Sequence, residues 1–152
     1  KYSLSPTLEM IKYFPAPDVE ERMKDLISVL GFDHVLLDRV GCIRSTGSSA
    51  RRTIARCHGM SKILQIGMKT PAFYVIEVIS EQFDKMPQEE QIKTIIHELL
   101  HIPKNFGGGF RHHDFVNERN IGKMYQIYAE KSNIQVEPVK VVDKKPKLFK
   151  FF

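Results

Sequence analysis

The segment His97-Glu98-Leu99-Leu100-His101 sets two imidazoles four residues apart, with a carboxylate next to the first. On a helix that interval is about one turn, so both rings lie on one face and can reach a single ion at about 2.0–2.1 Å. A glutamate on the same turn can accept the proton of a water whose pKa a metal ion has lowered towards about 7. The chemistry this pattern suits is hydrolysis by metal-activated water, with one zinc ion held by His97 and His101 and with Glu98 as general base.

A catalytic zinc site takes three protein ligands and keeps one position open. Three candidates follow the pattern: His112, His113 and Glu118. The glycines Gly107-Gly108-Gly109 can reverse the chain and return an imidazole over the helix, whereas Glu118 would serve from the next helix. His113 is favoured, because its neighbour Asp114 could cap that helix or orient a ligand. Arg111, Tyr125 and Tyr128 are candidates to stabilise a developing oxyanion.

These residues need a scaffold. Ile92, Ile95, Ile96, Leu99 and Leu100 give the motif an apolar helical stripe that starts after Pro87 and ends by Pro103. Phe73 to Ile79, rich in β-branched and aromatic residues, predicts a strand directly before it, either at a sheet edge or central. Val19, Met23, Leu26, Ile27 and Leu30 predict a helix from Pro17 to Leu30, with Asp18 and Glu21 as a capping box and Gly31 as its end. Val116 to Tyr128 predicts a further helix. Residues 33–45 and 51–66 read as two strands joined by the loop Thr46-Gly47-Ser48-Ser49.

The chain has 152 residues, 42% hydrophobic and 27% charged, enough for one domain with a real core. No apolar run approaches the roughly 20 residues that span a bilayer. The first residues lack the apolar core of a secretory signal, so a cytoplasmic location is expected. Cys42 and Cys57 are too few for a thiolate zinc site and read as buried small hydrophobes. The net charge is +5, and Arg39, Arg44, Arg51, Arg52, Arg56, His58 and Lys62 could form a stripe on two adjacent strands that contacts DNA phosphates. The equal reading is a solvated sheet face.

The succession of strand 73–79, Ile95-Ile96-His97-Glu98-Leu99-Leu100-His101-Ile102-Pro103, a glycine-rich turn and His113-Asp114 resembles the metallopeptidases of phages and archaea. More distantly it is similar to the SprT and Spartan proteases, which act on proteins crosslinked to DNA. The resemblance spans about residues 33–130. It implies a peptidase acting on protein or peptide substrates, and His113 as third ligand.

Residues 133–152 differ in kind, being dominated by Val, Lys and Pro without helical period, and an extended tail is expected there. Its end, with Leu148 followed by Phe151 and Phe152, resembles the peptide by which replication and repair proteins dock on the DNA sliding clamp. Lys145 stands where that motif prefers Gln.

The expectation is therefore an α+β, zincin-like domain over residues 1–132, with a mixed, mainly antiparallel sheet packed on the active-site helix and flanking helices, followed by a basic tail. Two other functions fit the same residues. One is a non-catalytic, zinc-stabilised adaptor that binds the sliding clamp, and the other is hydrolysis of an ester or phosphodiester bond.

Overall fold

Val19, Met23, Leu26 and Ile27 are the buried face of helix α1 (Pro17–Leu30) in the computed structural model, which describes residues 10–133. Gly31 ends the helix at φ 68° and ψ 38°, a left-handed conformation that costs glycine little. The expected capping box does not form. Ala16 stands at the N-cap without a side-chain bond, and Pro17 fills the first turn, where its missing N–H is no loss. Asp18 is drawn instead to Arg44, which holds it with both guanidinium nitrogens and reaches Asp84 at 3.1 Å.

The sheet has four strands in the order β1-β2-β4-β3: β1 (Lys12–Pro15), β2 (Val40–Thr46), β3 (Ala55–Gly59) and β4 (Tyr74–Ile79). It is mixed, with β2 and β4 parallel and the other two pairs antiparallel. Both loose strand readings need correction. Residues 37–39 form a 3₁₀ turn ahead of β2, and the stretch 51–66 divides into β3 and a short helix α2 (Lys62–Gly67). The apolar residues of α2 imitate a strand, yet Ile63, Leu64 and Ile66 are exposed. Nor are β2 and β3 neighbours, because β4 enters between them. The strand before the motif is therefore central, and β1 and β3 form the two edges among the described residues, β3 being the one beside β4.

Register separates the two faces. Cys42, Ile76 and Cys57 lie in one row across β2, β4 and β3, and Cys42 meets Met23 of α1 at 3.5 Å, so this row faces the helices. Ile43, Glu77 and Arg56 form the next row, on the opposite face. Arg44 and Arg56 thus point to opposite sides of the sheet, and the expected basic stripe on adjacent strands does not exist.

After β4 come the short helix α3 (Ser80–Phe83), then α4 (Gln88–Leu100) and α5 (Glu118–Lys131). Met23 and Leu26, Tyr74, Ile76 and Val78, Ile92, Ile95, Ile96 and Leu99, and Ile121 and Tyr128 belong to one continuous core. Among the described residues no helix is long and apolar enough to cross a membrane. The architecture is α+β.

Glu77 is a buried carboxylate in the central strand, 4% exposed, accepting bonds from Ser45 Oγ at 2.5 Å and His58 Nε2 at 2.7 Å. Burial pushes its pKa up, but these bonds outweigh burial and hold it below the usual 4.5. A folded value below the unfolded one adds stability above the unfolded pKa and loses it as pH falls through the folded one. Glu77→Gln is expected to cost roughly 1–3 kcal/mol near neutrality and to flatten the acid limb of stability, as read by denaturant titration across the carboxylate range.

Candidate functional site

Helix α4 begins at Pro87 with Glu89 and Glu90 in its first turn, where carboxylates favour the positive end of the helix. Its second half is buried all round. Every residue from Thr94 to Leu100 is buried, including His97 at 2% and Glu98 at 1% exposure. His101 caps the helix with helical dihedrals, φ −68° and ψ −22°, so the one-turn relation to His97 survives the helix end. The two Nε2 atoms stand 3.1 Å apart. Two ligands at 2.0–2.1 Å from one tetrahedral ion would be separated by about 3.3 Å, which these rings nearly match.

His101 is oriented by a reciprocal pair of bonds. Its Nδ1–H donates to the Arg111 carbonyl at 2.9 Å, and the Arg111 N–H donates to the His101 carbonyl at 2.7 Å. A proton on Nδ1 leaves Nε2 bare and aimed at His97.

The loop after α4 returns over the helix as the glycines suggest. Gly108 takes φ 96° and Phe106 φ 48°. His113 arrives with its ring centre 5.9 Å from that of His97 and 5.1 Å from that of His101. One nitrogen from each of His97, His101 and His113 lies within 4.8 Å of the others. His112 lies outside this cluster on the cavity wall, and Glu118 opens α5 without joining it. Asp114 does not cap α5. Asn117 does, accepting from the Asn120 amide at 3.0 Å, while Asp114 takes the Phe115 N–H.

The electrostatics of the cluster are those of a site built around a cation. Burial, then the adjoining His101 and His113, push His97 down to about 3. Burial pushes Glu98 up to about 8, and the nearby Cys57 amide offsets part of this without reaching hydrogen-bond geometry. Both Glu98 carboxylate oxygens are buried with no hydrogen-bond partner among the described residues. Buried polar atoms in that condition cost about 1–3 kcal/mol each. A cation favours bare imidazoles and a charged carboxylate together, so the residues present fit a metal ion.

A cavity of about 320 Å³ opens in front of the cluster, lined by Cys57, Glu98, His101, Phe110, Arg111, His112 and His113. Cys42 is buried as expected, its thiol pushed up to about 12 mainly by burial. Cys57 is only partly buried: it packs against the core as a small hydrophobe and also forms cavity wall. Of the three oxyanion candidates, Arg111 lines the cavity, its guanidinium 4.4 Å above the Phe115 ring. Tyr128 is bound to Asp25 and Arg22, and Tyr125 lies beneath the Lys93 ammonium; neither lines the cavity. Cys57 and Phe110 were not legible as site residues, since nothing near them in sequence announces chemistry.

Comparison with known proteins gives one finding. The family model described as "Putative phage metallopeptidase" matches residues 11–136. No curated protein and no solved structure matches the chain.

The loop geometry separates two neighbouring glycines. A Cβ on Gly108 would meet the Met60 carbonyl oxygen at 2.2 Å and suffers a positive φ, whereas one on Gly109 meets nothing within 4 Å. Gly108→Ala is expected to destabilise by at least about 2 kcal/mol and Gly109→Ala by less than about 0.5 kcal/mol, measured by chemical unfolding.

Proposed function

Because the chain belongs to the family described as "Putative phage metallopeptidase", a description that implies a hydrolase acting on proteins or peptides, we propose that it is a zincin-like peptidase using one zinc ion on His97, His101 and His113, with Glu98 as general base. The observation that carries this is the convergence of three imidazole nitrogens beside a buried carboxylate with no hydrogen-bond partner among the described residues. Three nitrogen ligands in a compact cluster suit Zn²⁺, and the cavity lined by Glu98, His101 and His113 would give water and substrate access to an ion held there.

When bound, the ion supplies Lewis acidity, which brings the pKa of water towards about 7. Glu98 takes the proton of the attacking water as its oxygen bonds to the scissile carbonyl carbon. It then returns that proton to the amine nitrogen as the C–N bond breaks. Burial serves both steps, because a desolvated carboxylate is a stronger base than one in water. His101 is kept in one tautomer by the Arg111 carbonyl. Arg111 is the charged side chain on the cavity wall suited to the carbonyl oxygen as negative charge develops there.

The substrate would lie extended. Strand β4 is central and cannot accept a further strand, whereas β3 has a free edge among the described residues and contributes Cys57 to the cavity. A peptide pairing with that edge would have its backbone in front of Glu98 and the imidazoles.

The sequence carries a further proposal about residues 133–152. Leu148, Phe151 and Phe152 lie outside the described residues, and docking of this tail on a DNA sliding clamp rests on their spacing alone. The proposed organisation is a domain over residues 1–132 followed by a tail over 133–152. DNA-crosslinked substrates of the SprT and Spartan kind are not proposed, since Arg44 and Arg56, the arginines on the strands, fall on opposite faces of the sheet.

Two measurements test the enzyme. Glu98→Gln is expected to keep its zinc, measured by elemental analysis, and to lose peptidase activity by about 10²–10⁴-fold. A non-catalytic adaptor would lose nothing in that variant. In zinc titrations His113→Ala is expected to weaken binding and His112→Ala to leave it near wild type; the reverse result would move the third ligand to His112.

A further inference from the structure

The residues that carry the metal cluster come from two separate pieces of chain, the end of α4 and the loop 107–113, and the loop has little core of its own. Its glycines are fixed from the sheet by one side chain of the central strand. Tyr74 opens β4 and is 0% exposed, and its hydroxyl reaches out of the core to the loop. It accepts from the Gly108 N–H at 2.8 Å and donates to the Gly109 carbonyl at 2.8 Å. Its ring is gripped edge-on by Phe106 at 4.8 Å and Phe110 at 6.2 Å, one from each side of the glycines.

The surroundings are cut to receive this contact. Gly59, the register partner of Tyr74, lies under the loop, and a Cβ there would sit 2.5 Å from the Gly108 carbonyl oxygen and 2.9 Å from the Phe110 ring. From outside, the Gln65 amide donates to the Gly107 carbonyl at 3.0 Å and to the Met60 carbonyl at 2.8 Å. Beyond the glycines, Arg111 is tied to His101 by the reciprocal bonds already described. The loop is therefore held at 107 by Gln65 of α2, at 108 and 109 by Tyr74 of the sheet and at 111 by His101 at the end of α4, and His113 follows two residues later.

We propose that the Tyr74 hydroxyl, seconded by Gln65, is the positioning device that holds the loop so that His113 stands over His97 and His101. This rests on the reading of His113 as a metal ligand. Tyr74 touches neither metal nor substrate in this scheme; it acts through the loop. A tyrosine is suited to the task because one hydroxyl both donates and accepts, so it can satisfy adjoining backbone groups of opposite kind. Its buried ring allows the hydroxyl little travel.

The test is a double-mutant cycle in zinc affinity, read by competition with a fluorescent chelator on the full chain. Tyr74→Phe keeps the ring and removes both hydrogen bonds. It is expected to weaken zinc about 10–100-fold, the range for losing a group that orients a ligand. In a His113→Ala background the same change should cost almost nothing more, since the ligand it positions is gone. A purely structural role would lower affinity equally in both backgrounds, and that result overturns the proposal. Wild-type affinity in Tyr74→Phe, with His113→Ala clearly weakened, overturns it too and leaves the ligand assignment standing. If His113→Ala itself binds zinc normally, the three-histidine reading fails first. Should Tyr74→Phe not fold, Gln65→Met removes the bonds to Gly107 and Met60 while leaving every apolar core residue in place, and the same cycle applies with a smaller expected loss in the same direction.

Discussion

The interior of this protein contains a carboxylate and two imidazoles where a core would ordinarily be apolar. His97, Glu98 and His101 occupy the last turn of α4, all 6% exposed or less, and the Glu98 oxygens make no hydrogen bond among the described residues. Desolvation drives the two kinds of group in opposite directions, lowering His97 and raising Glu98. Such an arrangement is unfavourable as neutral packing and favourable around a cation, so the site exchanges local stability for chemistry. The rest of the fold can be understood as what makes that exchange tolerable.

The apolar part of α4 anchors the strained end. Ile92, Ile95, Ile96 and Leu99 are each at most 2% exposed and tie the helix to the sheet and to α5. Fully burying side chains of this type is worth about 1.5–3 kcal/mol each, which outweighs the cost of a few unsatisfied polar atoms. Helix α1 sits over the same core through Met23 and Leu26, and its first turn is fastened to β2 and the region after α3 by Arg44 with Asp18 and Asp84. That ion pair is mostly exposed on its acidic side, so it contributes register more than energy.

Loop 107–113 solves a different problem, the delivery of a third imidazole from a segment with few apolar anchors. It does so by backbone hydrogen bonding at 107, 108, 109 and 111 and by using glycine where a side chain would collide. The same segment also supplies Phe110 and Arg111 to the cavity wall, so the histidine cluster and the cavity share one support. The edge strand β3 completes that wall with Cys57.

Much of this was legible in the chain. The helices around residues 17–30, 88–100 and 118–131 follow from 3.6-residue periodicity, Gly31 marks a helix end, and residues 74–79 are a strand by composition, because these signals are local and lie within one turn or one pleat. The His-x-x-x-His spacing likewise needs only one helical turn to bring two nitrogens together. Strand order was not legible: residues 40–46 and 55–59 look like a hairpin until β4 inserts between them, and pairing is decided by which apolar faces can be buried together. His113 was already favoured over His112 and Glu118, but the contacts that bring it to the helix pair were not legible, nor was Asn117 over Asp114 as cap, nor Cys57 and Tyr74 as parts of the site. Each depends on contacts between residues far apart in sequence, whose energies arise only when the chain is packed. The sequence by itself determined the donor types and their spacing on one helix; the tertiary structure alone decided which third imidazole meets them, which strand offers its edge, and what holds the loop between.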